Sequence, residues 1–203
     1  MVGMQKRYSP LIRTLKKQLA KAEPISYTLS YHTGAYPEGN PFTDLFIHPV
    51  DLALFLFGNA EIEGVQQIDR KGTTTVQALL SHSYVKGIIE LSTAYSWTNP
   101  KETLHINTPI GEYSLEQMER LCHYPHPKTI AGIPLEKLGF FTAAEQVLAE
   151  RNNFNPLVTN NQLYTQGFLP EIKAFADMVE HSYENLSPLS SMRSTYKLLA
   201  SLK

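Results

Sequence analysis

The sequence predicts an α+β fold: one large, open, mostly antiparallel sheet with helices packed on one of its faces. Three observations predict it. Segments near Glu61–Asp69, Thr73–Ser83, Val85–Tyr95 and Thr103–Asn107 alternate apolar and polar residues with a period of two. An earlier segment, Ile25–His32, does the same without a fault. Helical periodicity is confined to Pro10–Lys21, to the stretch after Asp44 and to segments beyond position 142. Consecutive strands with helices gathered elsewhere favour an antiparallel sheet covered on one side, leaving the other solvated or available to a second copy.

The elements follow in order. Ser9 is placed as a helix cap and Pro10 as the first helical residue, so a helix runs over Pro10–Lys21 until Pro24 stops it. Leu11, Leu15 and Leu19 form its apolar stripe. This 1–21 segment is basic, but it is Ser-poor and reads as a surface helix, not a transit peptide. A strand over Ile25–His32 leads into a Gly- and Pro-containing loop, Gly34–Pro41, which delivers the chain to Asp44. After Gly58 come the four strands, with Lys71-Gly72 and Lys86-Gly87 near the turns, and a further short strand pair around Gly111–Cys122. Tyr124-Pro-His126-Pro127 reads as a rigid loop. Helices are predicted over Thr142–Arg151, Leu163–His181 and Ser190–Leu202.

Composition narrows the class. The chain has 203 residues, 42% hydrophobic and 18% charged, which suits one substantial folded core. A net charge of −1 gives no electrostatic reason to expect nucleic acid or an anionic membrane. The single Cys122 rules out an intrachain disulfide, and no paired Cys/His spacing suggests structural zinc. No run of about 18 apolar residues is present to span a bilayer. A cytoplasmic protein is expected.

The chemistry concentrates in Asp44–Gly58, where every side chain is apolar except Asp44, His48 and Asp51. Spacings of four and three residues put the three on one face if the stretch is a continuous helix. Pro49 offers a second geometry, a helix starting near His48 with Asp44 in the lead-in segment. A carboxylate beside an imidazole fixes its tautomer and raises its basicity, as a general base requires. The plainer reading is helix capping and a satisfied core histidine. Phosphate-cradling and nucleophile motifs are absent: there is no Gly-x-Gly-x-x-Gly, Gly-x-x-x-x-Gly-Lys-[Ser/Thr] or Gly-x-Ser-x-Gly.

Two motifs carry a resemblance. Val2-Gly3-Met4-Gln5-Lys6-Arg7-Tyr8-Ser9-Pro10 resembles the Val-Gly-x-x-x-Arg-[Phe/Tyr]-x-Pro segment that leaves the nucleotide-binding domain of Gfo/Idh/MocA oxidoreductases. Asp44-x-x-x-His48-x-x-Asp51, followed by an apolar helix and Gly58, resembles their Asp-x-x-x-His-x-x-Asp…Gly signature. The resemblance implies that residues 1–203 form a single C-terminal substrate-binding and oligomerisation domain, of the type found in glyceraldehyde-3-phosphate dehydrogenase. The N-terminal dinucleotide-binding (Rossmann) domain, with its Gly-rich loop and catalytic Lys, is absent from this chain.

By that resemblance His48 is the general base for a substrate hydroxyl and Asp44 orients it. Asp51 and Arg7 support the pocket. NAD or NADP is bound by the missing domain, with no cofactor expected on this fragment, which alone is predicted inactive. The implied substrate is a polyol, sugar or related hydroxy compound, and the sheet face is the implied homo-oligomer contact. Many relatives carry Gly where this chain has Phe46, a difference that narrows the pocket. Two rivals accompany this reading: a non-catalytic ligand-binding or dimerisation module of the same fold, and metal-dependent chemistry through Asp44, His48 and Asp51.

Overall fold

Helix α1 (Pro10–Ala22) begins as its sequence dictates, with Pro10 in the first turn and the Ser9 hydroxyl donating to Thr165 O at 2.6 Å. Leu11, Ile12, Leu15 and Leu19 are buried on one face, while Arg13 and Lys17 are exposed and Lys16 reaches over to donate to Phe55 O at 2.9 Å. The computed structural model describes residues 1–127, 129–130, 132–138, 144–152, 154, 156–181 and 183–203.

Strands β1 (Ser26–His32), β2 (Ala60–Arg70), β3 (Thr73–His82), β4 (Lys86–Ser92), β5 (Lys101–Thr108), β6 (Gly111–Glu116) and β7 (Arg120–Pro125) belong to one sheet. A separate two-stranded ribbon, β8 (Thr129–Ile130) and β9 (Ile133–Pro134), precedes the edge strand β10 (Gln146–Glu150). The eight-stranded order is β10-β7-β6-β5-β1-β4-β3-β2. Every pair is antiparallel except β1 with β4, which runs parallel at the centre.

The alternation read from the sequence sorts side chains between the two faces. In β3, Val76, Ala78, Leu80 and His82 are buried under the helices, while Gln77 and Leu79 lie on the open face. The helix layer comprises α1, α2 (Ile47–Phe57) and α5 (Met192–Ser201), and α2 packs on α5. With strands β1 and β3–β6 they enclose a core that includes Tyr27, Phe46, Phe57, Leu91 and Ile106. Within it burial lowers the His82 pKa; Gly58 O can only accept, so Nδ1 donates to it (2.9 Å), and in the neutral ring Nε2 accepts from the Tyr27 hydroxyl (2.8 Å).

Three expectations need correction. The predicted helix over Thr142–Arg151 is instead the edge strand β10, paired with β7, over its residues 146–150; Thr142 lies outside the described residues. Tertiary pairing overrides local propensity here: the β7 edge needs a partner, and Arg120 bridges Glu145 (2.9 Å) and Glu150 (3.2 Å) across the pair. The predicted helix over Leu163–His181 is two helices, α3 (Gln162–Thr165) and α4 (Phe168–Glu180). Gly167 breaks it with φ +98°, and a Cβ there would sit 1.9 Å from Gln5 O, so close backbone approach decides the break.

Lys86-Gly87 opens β4 directly after the β3–β4 turn, and Gly87 lets the Tyr27 ring pack directly on the backbone. Tyr124 and Pro125, expected in a loop, are the end of β7. The Lys71-Gly72 turn is as predicted, with φ +50° and +76°. The apolar residues of α4 are mostly open to solvent: Ile172 is 66% exposed and Val179 73%. No helix among the described residues is long and apolar enough to cross a membrane.

Candidate functional site

The stretch that carries Asp44, His48 and Asp51 folds as a wide π-helical turn, Phe42–Phe46, running into α2. Asn40 and Asp44 open it reciprocally. Asn40 Oδ1 accepts from Phe42 N (2.9 Å), and Asp44 Oδ2 accepts from Asn40 N (3.0 Å). Pro49 falls in the first turn of α2, where its missing N–H costs little, and the wide turn just before it accommodates the ring. Of the two geometries open to the sequence, the helix starting near His48 is the closer one.

The three polar residues part company. Asp44 is exposed, and its carboxylate is turned back on its own loop, also accepting from Thr43 Oγ1 at 2.8 Å. No hydrogen bond joins it to His48 among the described residues. Asp51 is buried, and both of its oxygens are engaged by Arg7, at 2.8 Å from Nε and 2.5 Å from Nη2. Thr195 Oγ1 adds a third bond at 2.9 Å. Arg7 in turn donates to Leu186 O (2.8 Å) and Ser191 Oγ (2.9 Å). This fully satisfied network ties the segment before α1 to α2 and to the lead-in of α5, a supporting role.

His48 opens instead onto a cleft of about 440 Å³ between the start of the chain, the tops of β1 and β5, the β6–β7 turn and α3. Its imidazole is held below its usual pKa, first by burial and then by the Lys6 ammonium; Glu102 and Asp51 oppose the effect. It is therefore a neutral base at neutral pH. Lys6 is buried beside it, ion-paired with Glu102, with its ammonium 5.1 Å from the Tyr31 ring centroid. Burial and then the Glu102 charge push the Tyr31 phenol up to about 12, so it stays protonated. Gln117, at the β6–β7 turn, has φ +53°. Its side chain accepts from Glu102 N (2.7 Å) and donates to Pro100 O (2.9 Å).

One wall is aromatic. Trp97 Nε1 donates to Ala35 O at 2.8 Å, and its ring lies on Gly34, where a Cβ would come within 2.3 Å. His32 stacks on Tyr95 with centroids 4.0 Å apart. Its Nε2 lies 3.4 Å from Glu90 Oε1, too poorly aligned for a hydrogen bond. Burial lowers the His32 pKa; Glu90 opposes this and Lys101 adds to it.

Sequence reasoning missed Lys6, Glu102, Gln117 and the aromatic wall. One signal for Glu102 was present: it shares the inward-facing register of Leu104 and Ile106, so a charge there must find a buried partner.

The two glycines of the loop after β1 are spent on packing, Gly34 under Trp97 and Gly39 against the Asp44 carboxylate, and among the described residues no glycine-rich, phosphate-cradling turn opens a helix toward the cleft. Among the described residues no three His, Cys, Asp or Glu side chains are grouped to hold a metal ion.

The fold, a mixed eight-stranded sheet with helices on one face, is that of the C-terminal domain of Gfo/Idh/MocA-type dehydrogenases. No protein-family model and no curated protein matches the sequence. Solved structures do match in shape. A dehydrogenase from Chromobacterium violaceum has a TM-score of 0.75 at 14% identity, over 99% of this chain and 59% of that one. The UDP-N-acetylglucosamine 3-dehydrogenase from Acidithiobacillus ferrooxidans has a TM-score of 0.68 at 16% identity, over 98% and 59%. An oxidoreductase from Agrobacterium radiobacter, in complex with NAD+, L-tartaric acid and magnesium, has a TM-score of 0.67 at 17% identity, over 98% and 60%. The chain thus spans about three-fifths of the length of the structures it matches.

Proposed function

We propose that this chain is the substrate-binding and oligomerisation domain of an NAD(P)-dependent oxidoreductase, acting on a polyol, sugar or related hydroxy compound. The observation that carries the reading is His48: a neutral, half-buried imidazole on a cleft that also holds Lys6, Glu102 and Gln117. These groups suit a hydroxylated ligand, because each hydroxyl both donates and accepts. His48 takes the hydroxyl proton, while hydride from the adjacent carbon passes to a nicotinamide bound outside this chain. A dinucleotide-binding domain supplies that cofactor, and the open sheet face is the contact between copies. The cytoplasm is the proposed location.

The test uses the protein joined to such a domain, following NAD(P)H absorbance over a panel of polyols, sugars and sugar acids. Loss of turnover in His48→Asn supports the reading; turnover that survives it overturns the role of His48. One observation favours a second reading, a non-catalytic module of the same fold: Asp44 is bonded to its own loop and not to the imidazole. That module predicts nucleotide binding without turnover on any substrate, and His48→Ala without consequence.

A further inference from the structure

We propose that the Lys6–Glu102 ion pair, held in place by Gln117, is the positioning device that sets the protonation of His48, the part the sequence motif assigns to Asp44. The proposal rests on His48 as the working group of the cleft, but not on the identity of the reaction.

Geometry carries it. Lys6 and Glu102 come from opposite sides of the cleft, one from the turn before α1 and one from the first residues of β5. Both are mostly buried, with side chains 10% and 16% exposed. A pair this enclosed is screened far less than a surface pair, so each charge acts strongly on a neighbour. Glu102 cannot drift, because Gln117 clamps its backbone on both sides. Glu102 N donates to Gln117 Oε1 (2.7 Å), and Gln117 N donates to Glu102 O (2.7 Å).

That clamp is built on an unfavourable backbone. Gln117 and Met118 both have positive φ, +53° and +55°, where glycine or asparagine is usual. Met118, 1% exposed, anchors the turn in the core, and the Gln117 amide reaches back to β5. Strained backbone retained by surrounding packing beside a cleft points to a functional constraint.

The other charged and titratable groups around His48 do not substitute for the pair. Asp51, on the same helix, works in the same direction as Glu102 but as a smaller cause, and Arg7 grips its carboxylate; Glu119 is paired with Arg151 at 2.9 Å. His32 and Lys101 line the cleft on the β1 and β5 side, and Tyr31 stays protonated. Asp44 is not among the groups acting on the imidazole. The consequence is a buried base whose proton affinity Lys6 lowers and Glu102, with a smaller part from Asp51, raises. A ligand hydroxyl that engages either partner alters that balance at the moment of binding.

The test is an NMR titration of the histidine ring protons of this chain, with His48 assigned by its loss in His48→Gln. Lys6→Met should raise the His48 midpoint, Glu102→Gln should lower it, and Asp44→Asn should leave it in place. Gln117→Ala should shift it without removing a charge, and Gln117→Asn, which keeps a neutral amide, should restore part of the shift. Opposite shifts from the Lys6 and Glu102 variants support the proposal. Unmoved midpoints in both, or a shift of similar size in Asp44→Asn, overturn it. Circular dichroism of each variant separates a shift in an intact fold from unfolding, and if one charge variant unfolds, the other decides. Because the readout is a titration, its failure is distinct from a failure of turnover.

Discussion

The guanidinium of Arg7 grips both carboxylate oxygens of Asp51 inside the protein, with side chains 6% and 2% exposed. The contact joins residues 44 positions apart and fixes α2 against the segment that leads into α1. Removing one partner strands a buried charge, which typically costs about 3–5 kcal/mol, while replacing both with apolar groups recovers much of the loss. Asp51→Ala is expected to lower the unfolding free energy by that amount, and Arg7→Met/Asp51→Leu by clearly less. Urea denaturation of the single and double variants checks it.

Gly167 offers a second stability test. Alanine there meets Gln5 O at 1.9 Å and must keep φ near +98°. Gly167→Ala is expected to destabilise by about 2–4 kcal/mol, through combined backbone strain and steric clash. It should also loosen α3 from the segment before α1. Denaturant midpoints measure the first effect, and hydrogen exchange at residues 5–8 the second.

Acid should weaken the fold. Burial is the leading cause that lowers the pKa of His48, His32 and His82 below the ordinary histidine value. The unfolded chain therefore binds protons that the folded one refuses. Stability from these groups is complete above about pH 6.5 and falls as the pH drops toward and through the folded-state values. Urea midpoints measured at neutral pH and in mild acid should show the decline, and His48→Gln should make it shallower. A flat profile would sink this account.

The open sheet face yields a prediction about assembly. Leu79 and Ile88 are cross-strand partners there, 49% and 51% exposed. Side by side they form an apolar strip on that face. With this face as the proposed contact between copies, the protein is expected to self-associate and Leu79→Lys/Ile88→Lys to abolish that association, while leaving the circular dichroism spectrum unchanged. Light scattering across a concentration series reads the outcome.

Much of the fold was legible because period-two alternation is a local signal. β3 and β4 expose alternate residues wherever they pair, so Val76–His82 could be read without a partner. What was missed depends on contacts distant in sequence. Residues 146–150 become a strand because β7 offers an edge, and the α3–α4 break follows from the nearness of Gln5. The site divides in the same way. His48 stood out as a lone imidazole in an apolar run, but its charged neighbours come from residues 6 and 102. Asp44 was misleading because its spacing suited the helix, whereas its carboxylate found nearer donors in Asn40 and Thr43.

The lone parallel pair has a consequence for how the sheet assembles. β2–β3–β4 is a ladder of neighbours in sequence, and so is β5–β6–β7. Each can zip from its own hairpins, whereas β1 must join strands far along the chain, at positions 86–92 on one side and 101–107 on the other. β1 is thus the seam between two locally formed half-sheets. It closes only after a long loop has been gathered in, a slow step because loop closure precedes the contacts that reward it. Protection of the amides of residues 26–32 therefore marks the moment at which two halves become one protein.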